Sequence, residues 1–129
     1  MIDLQQLKKY CLSKKGVSED FPFDDETLVF KVGSKMFALT NIKEKELKIN
    51  LKCDPMMAQD LRQEYEAIKP GYHMNKTHWN TVEIDGTIND NIIEMLIDIS
   101  YDLVFKGLRK KEREEINKKR GCLKIESDF

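Results

Sequence analysis

The sequence lacks an excess of charge of either sign. Its 129 residues include 22 basic and 23 acidic side chains, which leaves a net charge of −1 at pH 7. Nucleic-acid-binding domains usually carry a basic excess, so the overall balance does not by itself indicate a polyanionic partner. The composition, 40% hydrophobic and 35% charged, is typical of one globular domain with a modest core.

Cysteine is scarce, and no apolar run is long enough to cross a bilayer. Cys11, Cys53 and Cys122 are scattered without CxxC spacing, which argues against a disulfide framework and against a zinc site. The first residues lack the basic start and apolar run of a signal peptide. We therefore expect a cytoplasmic protein with reduced thiols and no cofactor, without membrane association.

Catalytic motifs are missing as well. The sequence contains no glycine-rich phosphate loop and no GxSxG nucleophile elbow. A hydrolytic nucleophile would need a histidine as its base and an acid to orient that histidine, and no motif supplies this set. We expect a protein that is not an enzyme.

Local patterns predict three main helices. Asp3 with Gln6 forms a capping box before the first helix, and Asp54 caps the second. Asn89 caps the third, whose apolar residues keep helical spacing to about Phe105.

Alternating apolar residues predict strands in stretches 28–32, 35–39 and 47–51, and residues 17–26 are interpreted as a solvated acidic loop. A short strand and a longer one, over residues 79–84, follow the second helix. The order predicts an α/β (α+β) domain of two layers, with one antiparallel-rich sheet and the helices packed on one face.

The stretch HMNKTHWNTV, residues 73–82, contains both histidines and the only tryptophan. Strand alternation directs Val82 and Ile84 to the core, and Trp79 and Thr81 to the opposite face. The same rule sends polar and basic groups of other strands to that opposite face: Thr27, Lys31, Lys48, Asn50 and Lys52.

Three interpretations of this face remain open. It is a solvated polar surface, or loop side chains such as Met74 or Tyr72 cover Trp79 in a small second core. In the third, Trp79 stacks on nucleic-acid bases while neighbouring lysines contact the backbone, or the same residues bind a peptide. The candidate binding residues are Trp79, Lys76, His73, His78, Asn75, Thr81, Lys31, Lys48 and Lys52.

The two histidines do not predict a metal site. His73 and His78 are five residues apart, so a continuous strand places them on opposite faces, although a turn over residues 74–76 would bring them together. Cys53 has no metal-ligand spacing to either. We expect His78 to be a hydrogen-bonded histidine at the edge of the core.

The same stretch, followed by Glu83-Ile84-Asp85-Gly86, closely resembles the H-x-N-K-x-H-W-x-T-V-x-L-D-G signature of the MmcQ/YjbR family. Other matches in register are Tyr10-Cys11, Gly16, Gly33, Lys35-Met36-Phe37-Ala38 and Ser100-Tyr101. The resemblance covers residues 1–116. Its signature positions here are His73, Asn75, Lys76, His78, Trp79, Thr81, Val82, Asp85 and Gly86.

The resemblance implies a two-layer domain of α-β(3)-α-β(2)-α type, similar to secretion chaperones and described as a double wing. It implies DNA binding, with no established catalytic residues and an otherwise unknown role. We therefore expect a small DNA-binding module; the alternative is a protein- or peptide-interaction module, or a chaperone-like one, that uses the open sheet face around Trp79.

The C-terminal part departs from the family. Leu108-Arg109 stands where relatives commonly have Leu-Pro, which allows helical continuation from the domain at 1–108 into an extension at 109–129 that frays towards its end. Seven basic side chains face three acidic ones in residues 109–120: Arg109, Lys110, Lys111, Arg113, Lys118, Lys119 and Arg120. The extension is either a solvated helix end or a polybasic arm for DNA, and we expect its removal to leave the fold intact.

Overall fold

The computed structural model describes the backbone of residues 1–127 and the side chains of residues 1–118. The helices in this part are α1 (Leu4–Leu12), α2 (Pro55–Glu64), α3 (Asp90–Lys106) and α4 (Lys110–Ser127). The strands are β1 (Val17–Asp20), β2 (Thr27–Val32), β3 (Lys35–Asn41), β4 (Lys48–Lys52), β5 (Ile68–Pro70) and β6 (Trp79–Glu83).

The six strands form one open sheet in the order β1-β2-β3-β4-β6-β5, and each neighbouring pair is antiparallel. All four helices contribute side chains to a main core on one face of this sheet, which includes the fully buried Phe30, Phe37 and Ile97. The predicted two-layer class and element order are confirmed. Strand β1 and helix α4 extend the predicted order.

Side chains cap the N-termini of the helices, as the sequence predicts. Asp3 accepts a hydrogen bond from the Gln6 backbone N–H at 2.8 Å, and the Gln6 side chain accepts one from the Asp3 N–H at 3.0 Å. Asp54 accepts the N–H groups at the start of α2, and Asn89 accepts the Asn91 N–H. These contacts satisfy backbone donors that have no partner inside the helix.

The prediction of a loop over residues 17–26 is wrong for its first part, which forms the edge strand β1. Val17 pairs with Val32 and Asp20 with Val29 along β2. The polar composition of β1 conceals this strand, because an edge strand leaves its acidic side chains in solvent while its backbone pairs on one side only. Residues 21–26 form the connection to β2.

A bulge between β2 and β3 lets β3 bury two successive residues in the main core. The register shifts between Phe30 and Lys31, and Phe37 and Ala38 both join that core. Strict alternation would have sent one of them to the other face. Leu39, next in line, lies on the far side of the sheet.

The chain does not continue as one helix beyond α3. It turns at Gly107, and α4 begins as a separate helix that returns against the domain. Ile116 of α4 is buried in the main core, and a Cβ atom at Gly16 would lie 2.9 Å from its Cγ1. Gly16 has a φ of +68°, so both its backbone and its lack of a side chain allow α4 to dock.

Glu112 holds the start of α4 to the β2–β3 turn. Its carboxylate accepts hydrogen bonds from the Ser34 backbone N–H and hydroxyl, both at 3.0 Å. The Lys35 ammonium donates to the Gly107 carbonyl at 3.1 Å. Residues 109–118 are therefore packed and hydrogen-bonded against the domain, and the expectation that the fold stays intact without residues 109–129 stays a prediction.

Candidate functional site

The face of the sheet opposite the main core, here called the outer face, has the predicted composition. Val82 and Ile84 lie in the main core, whereas Trp79 belongs to a separate cluster on the outer face. The antiparallel register of β4 and β6 places three pairs of residues side by side on this face: Lys52 with Trp79, Asn50 with Thr81, and Lys48 with Glu83.

Trp79 is not bare. It is 7% exposed and packs with Val29 of β2 and Leu39 of β3, covered by Met36 and Met74. Of the three interpretations, the structure therefore supports a small second core for the tryptophan, closed by the predicted Met74. The assumption of an open surface fails because the residues before β6 do not extend the strand but fold back over it.

The segment that folds back, residues 71–78, is here called the cover loop. Asn75 organises its turn: the side chain accepts the Thr77 N–H at 2.9 Å, and its carbonyl accepts the Trp79 N–H at 2.9 Å. The Lys76 ammonium donates to the Gly71 carbonyl at 3.0 Å and so joins the two ends of the loop. Several positions of the family-like motif thus build this loop.

Because Gly71 has no side chain, the cover loop can lie close to strand β6. A Cβ atom there would lie 2.9 Å from the Cβ of Trp79 and 3.0 Å from its carbonyl oxygen. The Gly71 N–H donates to that carbonyl at 2.9 Å. Within the described chain, His73 is the one non-glycine residue with a positive φ, at 60°. Any residue other than glycine adopts the left-handed conformation at a cost in free energy, and such strain is often found at functional positions.

Arg62 of α2 supports the cover loop from beneath, and the sequence did not single it out. Its Nε donates to the Asn80 side-chain oxygen at 2.6 Å, and one terminal nitrogen donates to the carbonyls of Lys76 and Trp79. Asn80 also donates to the Ala58 carbonyl at 3.3 Å. The only signal in the sequence was Asn80 itself, a polar residue at a core-facing position of β6.

A groove runs over the outer face beside the cover loop, and we call it the outer groove. It consists of two adjoining cavities of about 630 and 470 Å³. Both cavities are lined by a shared middle section: Thr40, Asn41, Glu44, Asn50 and Tyr72. Phe23, Met36, Met74 and Trp79 line one end, which is apolar, and Lys48, Lys69, Thr81 and Glu83 line the other, which is polar.

The walls of the groove are held by hydrogen bonds. Asp24 accepts the N–H groups of Thr27 and Glu26, at 2.7 and 2.9 Å, and these bonds lower the pKa of the Asp24 carboxyl below its ordinary value. On the opposite wall, the Tyr72 N–H donates to the Thr81 hydroxyl at 3.0 Å. That hydroxyl donates to the Asn50 side-chain oxygen at 2.5 Å.

Charged side chains at the polar end pair with each other. Lys69 contacts Glu83 at 3.1 Å, and Lys48 contacts Glu44 at 3.9 Å. Lysines and glutamates therefore largely cancel one another's fields along this part of the groove.

The structure brings only some of the predicted binding residues together. His73, Asn75, Trp79, Thr81 and Lys48 line the outer groove. The remaining members of the predicted set lie outside its lining: Lys76, His78, Lys31 and Lys52. His78 is half-buried, and its carbonyl accepts the Cys53 N–H at 2.9 Å.

The basic residues of the extension lie elsewhere, on α4 and at Arg109 just before it. Arg109 contacts Glu112 at 3.7 Å, and Lys110 contacts Glu114 at 3.9 Å. Lys111 and Lys118 are exposed. The side chains of Lys119 and Arg120 lie outside the described residues. The outer groove and the basic helix are thus two separate features.

Among the described residues, no group of three or more His, Cys, Asp or Glu side chains is placed to hold a metal ion. None of the helices in this part of the chain is long and apolar enough to cross a membrane.

Comparison with known proteins identifies relatives. The family model described as YjbR matches residues 12–103. The chain is 33% identical over 110 residues to the uncharacterised protein YjbR of Escherichia coli K12, which covers 85% of this chain and 93% of that protein. It is 38% identical over 109 residues to the uncharacterised protein YbdF of Escherichia coli O157:H7, with coverage of 84% and 89%.

Solved structures share the fold. The crystal structure of Deinococcus radiodurans protein DR2400, described with the domain DUF419, superposes with a TM-score of 0.85 at 45% identity. The match covers 91% of this chain and 89% of that one. A Pseudomonas syringae protein gives a TM-score of 0.69 at 30% identity and covers 79% and 98% of the two chains.

Proposed function

This chain belongs to the YjbR family, whose members named above are uncharacterised, and from the geometry of its outer groove we propose that it is a cytoplasmic binding module for peptides and not an enzyme. The outer groove holds an extended segment of a partner protein. Apolar side chains of that segment occupy the end near Trp79, and its backbone lies along the polar middle.

The observation that carries this proposal is that carboxylates neutralise both lysines that line this polar groove. Its lysines at positions 48 and 69 are paired with Glu44 and Glu83. Phosphate recognition depends on unpaired basic groups, which this groove does not offer. Neutral amides of a peptide suit it, because they need hydrogen-bond partners and no counter-charge.

Asn50 is the residue placed to bind such a backbone. Thr81 occupies its side-chain oxygen, so the amide nitrogen is the group that Asn50 presents to the groove. An amide donor in a half-buried position matches a peptide carbonyl, whose burial without a partner is costly. Among the described residues, the lining includes one histidine and neither serine nor cysteine, which favours binding over nucleophilic catalysis.

Selection from a random peptide library, with the full chain as bait, tests this proposal. Selected peptides should bind the Asn50→Ala variant about tenfold more weakly, because one hydrogen bond in a shielded site is lost. Asn91→Ala, an exposed asparagine on α3, is the matched control and should bind like the wild type. If no peptide is selected, or if Asn50→Ala leaves every affinity unchanged, the proposal is wrong.

DNA binding is the second candidate, and it depends on α4 instead of the groove. Residues 109–118 carry five basic and three acidic side chains. Four of the basic residues are exposed: Arg109, Lys110, Lys111 and Lys118. Basic clusters of this kind bind phosphates through counterion release, with affinity that falls steeply as salt rises. The net charge of −1 for the chain counts against a large effect.

Charge substitution tests this candidate more cleanly than truncation, since α4 also supplies Ile116 to the core. Under this hypothesis, replacing Lys111, Lys118 and Lys119 by Gln should weaken duplex binding and flatten its salt dependence. The control replaces Lys8, Lys9 and Lys45 in the same way. Absence of duplex binding by the full chain at low salt would exclude the DNA hypothesis.

A further inference from the structure

The apolar end of the outer groove combines features that the peptide proposal alone does not explain. Its cavity has a volume of about 630 Å³, and its lining includes Phe23, Met36, Tyr72, Met74 and Trp79. Phe23 is 65% exposed and Tyr72 68%, although both are large apolar rings. The two rings belong to different loops, the β1–β2 connection and the cover loop, and line the same cavity.

Hydrogen bonds hold the backbone beside each of the two rings. Asp24, next to Phe23, accepts two N–H groups of the following turn. Tyr72 is tied to the sheet through Thr81, and its ring contacts the His73 ring with centroids 4.0 Å apart. The strained φ of 60° at His73 is therefore maintained beside the mouth of the cavity.

The floor of the cavity is suited to a flat, polarisable group. Trp79 packs there with Leu39, and the thioethers of Met36 and Met74 flank it. Methionine side chains adapt their shape and make favourable contacts with aromatic rings. Aromatic rings in turn prefer offset or edge-to-face contact with other rings, and Phe23 and Tyr72 both line the cavity.

We infer that this cavity, the aromatic pocket, binds one aromatic side chain of the peptide, with Phe23 and Tyr72 as the residues that select it. The inference rests on the proposed peptide-binding function for its ligand class. A phenylalanine, tyrosine or tryptophan side chain would displace water from both exposed rings and lie over the thioethers. A small side chain would leave both rings exposed to water. An acidic side chain would be repelled by the carboxylates of Asp24 and Glu44 at the rim.

The probe for this pocket is N-acetyl-phenylalanine amide, followed by NMR. The chain has one tryptophan, so its indole N–H gives a single signal from the pocket floor. Millimolar N-acetyl-phenylalanine amide should shift that signal in a saturable way, with at least tenfold tighter binding than N-acetyl-alanine amide. N-acetyl-leucine amide should bind more weakly than the phenylalanine compound and so separate aromatic from general apolar preference.

Substitutions of the two exposed rings test whether they produce the preference for the phenylalanine compound. Phe23→Ala and Tyr72→Ala alter exposed rings, so both should fold, and each should reduce the preference for phenylalanine over alanine to near unity. Met56→Ala, on the exposed surface of α2 outside the groove, should keep the full preference. Equal binding of the three compounds, or an unchanged preference in both ring variants, would overturn the inference.

The failure of this inference is distinguishable from failure of the proposed function. Library peptides that depend on Asn50 but tolerate alanine at every aromatic position would refute the aromatic pocket and leave peptide binding intact. A pocket that binds N-acetyl-phenylalanine amide while the library yields no groove-dependent peptide would refute peptide binding and retain the pocket for a smaller aromatic ligand.

Discussion

Arg62, a single half-buried arginine, joins helix α2 to the cover loop. Its guanidinium donates to the Asn80 side chain and to the carbonyls of Lys76 and Trp79. The planar guanidinium donates from two nitrogens held in a fixed arrangement, which the single nitrogen of a lysine ammonium cannot reproduce. We therefore expect the conformation of the cover loop to depend on this side chain.

We expect Arg62→Lys to lower the free energy of unfolding by about 1–3 kcal/mol, since buried acceptors lose their donors. Amide hydrogen exchange in residues 72–78 should accelerate more than exchange in β2 or β3. Arg109→Lys, at an exposed ion pair with Glu112 of α4, is the control and should change stability by less than about 0.5 kcal/mol. Unchanged exchange in the cover loop would show that Arg62 does not hold it.

Trp79 contributes to the second core, so its truncation should affect folding. Replacing a nearly buried tryptophan by alanine typically costs about 3–5 kcal/mol, and we expect Trp79→Ala to fall near the lower limit because the cluster is small. Tyr72→Ala, at an exposed ring, should cost less than about 1 kcal/mol. Urea unfolding of both variants measures the difference, and equal stabilities would contradict the packing seen around Trp79.

At the scale of elements, helix α4 behaves as part of the domain. Ile116→Ala should lower the free energy of unfolding by about 2 kcal/mol or more, because it opens a cavity against Gly16 and Leu108. Removal of residues 109–129 should cost at least as much, with the melting temperature as the measurement. A truncated chain as stable as the full one would support the boundary at residue 108 that the sequence predicts.

The contact between α4 and the β2–β3 turn should depend on pH. Hydrogen bonds from the Ser34 hydroxyl and N–H, aided by the charge of Arg109, hold the pKa of Glu112 below its ordinary value of 4.5. The unfolded carboxyl takes up its proton near that value, whereas the folded one keeps its charge to lower pH. The stabilisation is therefore complete above pH 4.5 and is lost as pH falls through the folded pKa.

Glu112→Gln should consequently lower the urea midpoint at pH 7, and its difference from the wild type should narrow at pH 3. The matched control is Glu114→Gln, which removes only an exposed pair with Lys110 and should change the midpoint little at either pH. A deficit for Glu112→Gln that is the same at both pH values would show that the contact does not depend on the carboxylate charge.

At the scale of the whole molecule, the two described cysteines report on global unfolding. Cys11 is fully buried, and burial raises the pKa of its thiol to about 12; burial also raises the pKa of the Cys53 thiol. Only the thiolate reacts with alkylating agents, so both groups should be inert while the protein is folded.

In a Cys122→Ser background, we expect no thiol labelling at pH 7 without denaturant. Labelling of both cysteines should appear with the same urea midpoint as the loss of helical circular dichroism, because the main core opens as one unit. Rapid labelling of Cys53 under native conditions would show that α2 and the segment beneath the cover loop open separately from the rest.

Features that depend on neighbours along the chain could be predicted from the sequence. The caps at Asp3, Asp54 and Asn89 lie within a few residues of the groups they bind, and alternation along β6 assigned Trp79 and Val82 to opposite faces. Local hydrogen bonding and side-chain periodicity decide these features, so three to five residues contain enough information.

Other features were decided only in three dimensions. Strand β1 exists because β2 supplies its backbone partners, and the burial of Trp79 needs Val29, Leu39 and Met36 from two other strands. Arg62 reaches the cover loop from a helix, across contacts that no pattern in the chain encodes. By itself the sequence determined where elements begin and which faces they bury. Tertiary packing decided that the outer face would carry a covered tryptophan and a groove, because burial is set by residues distant in the chain.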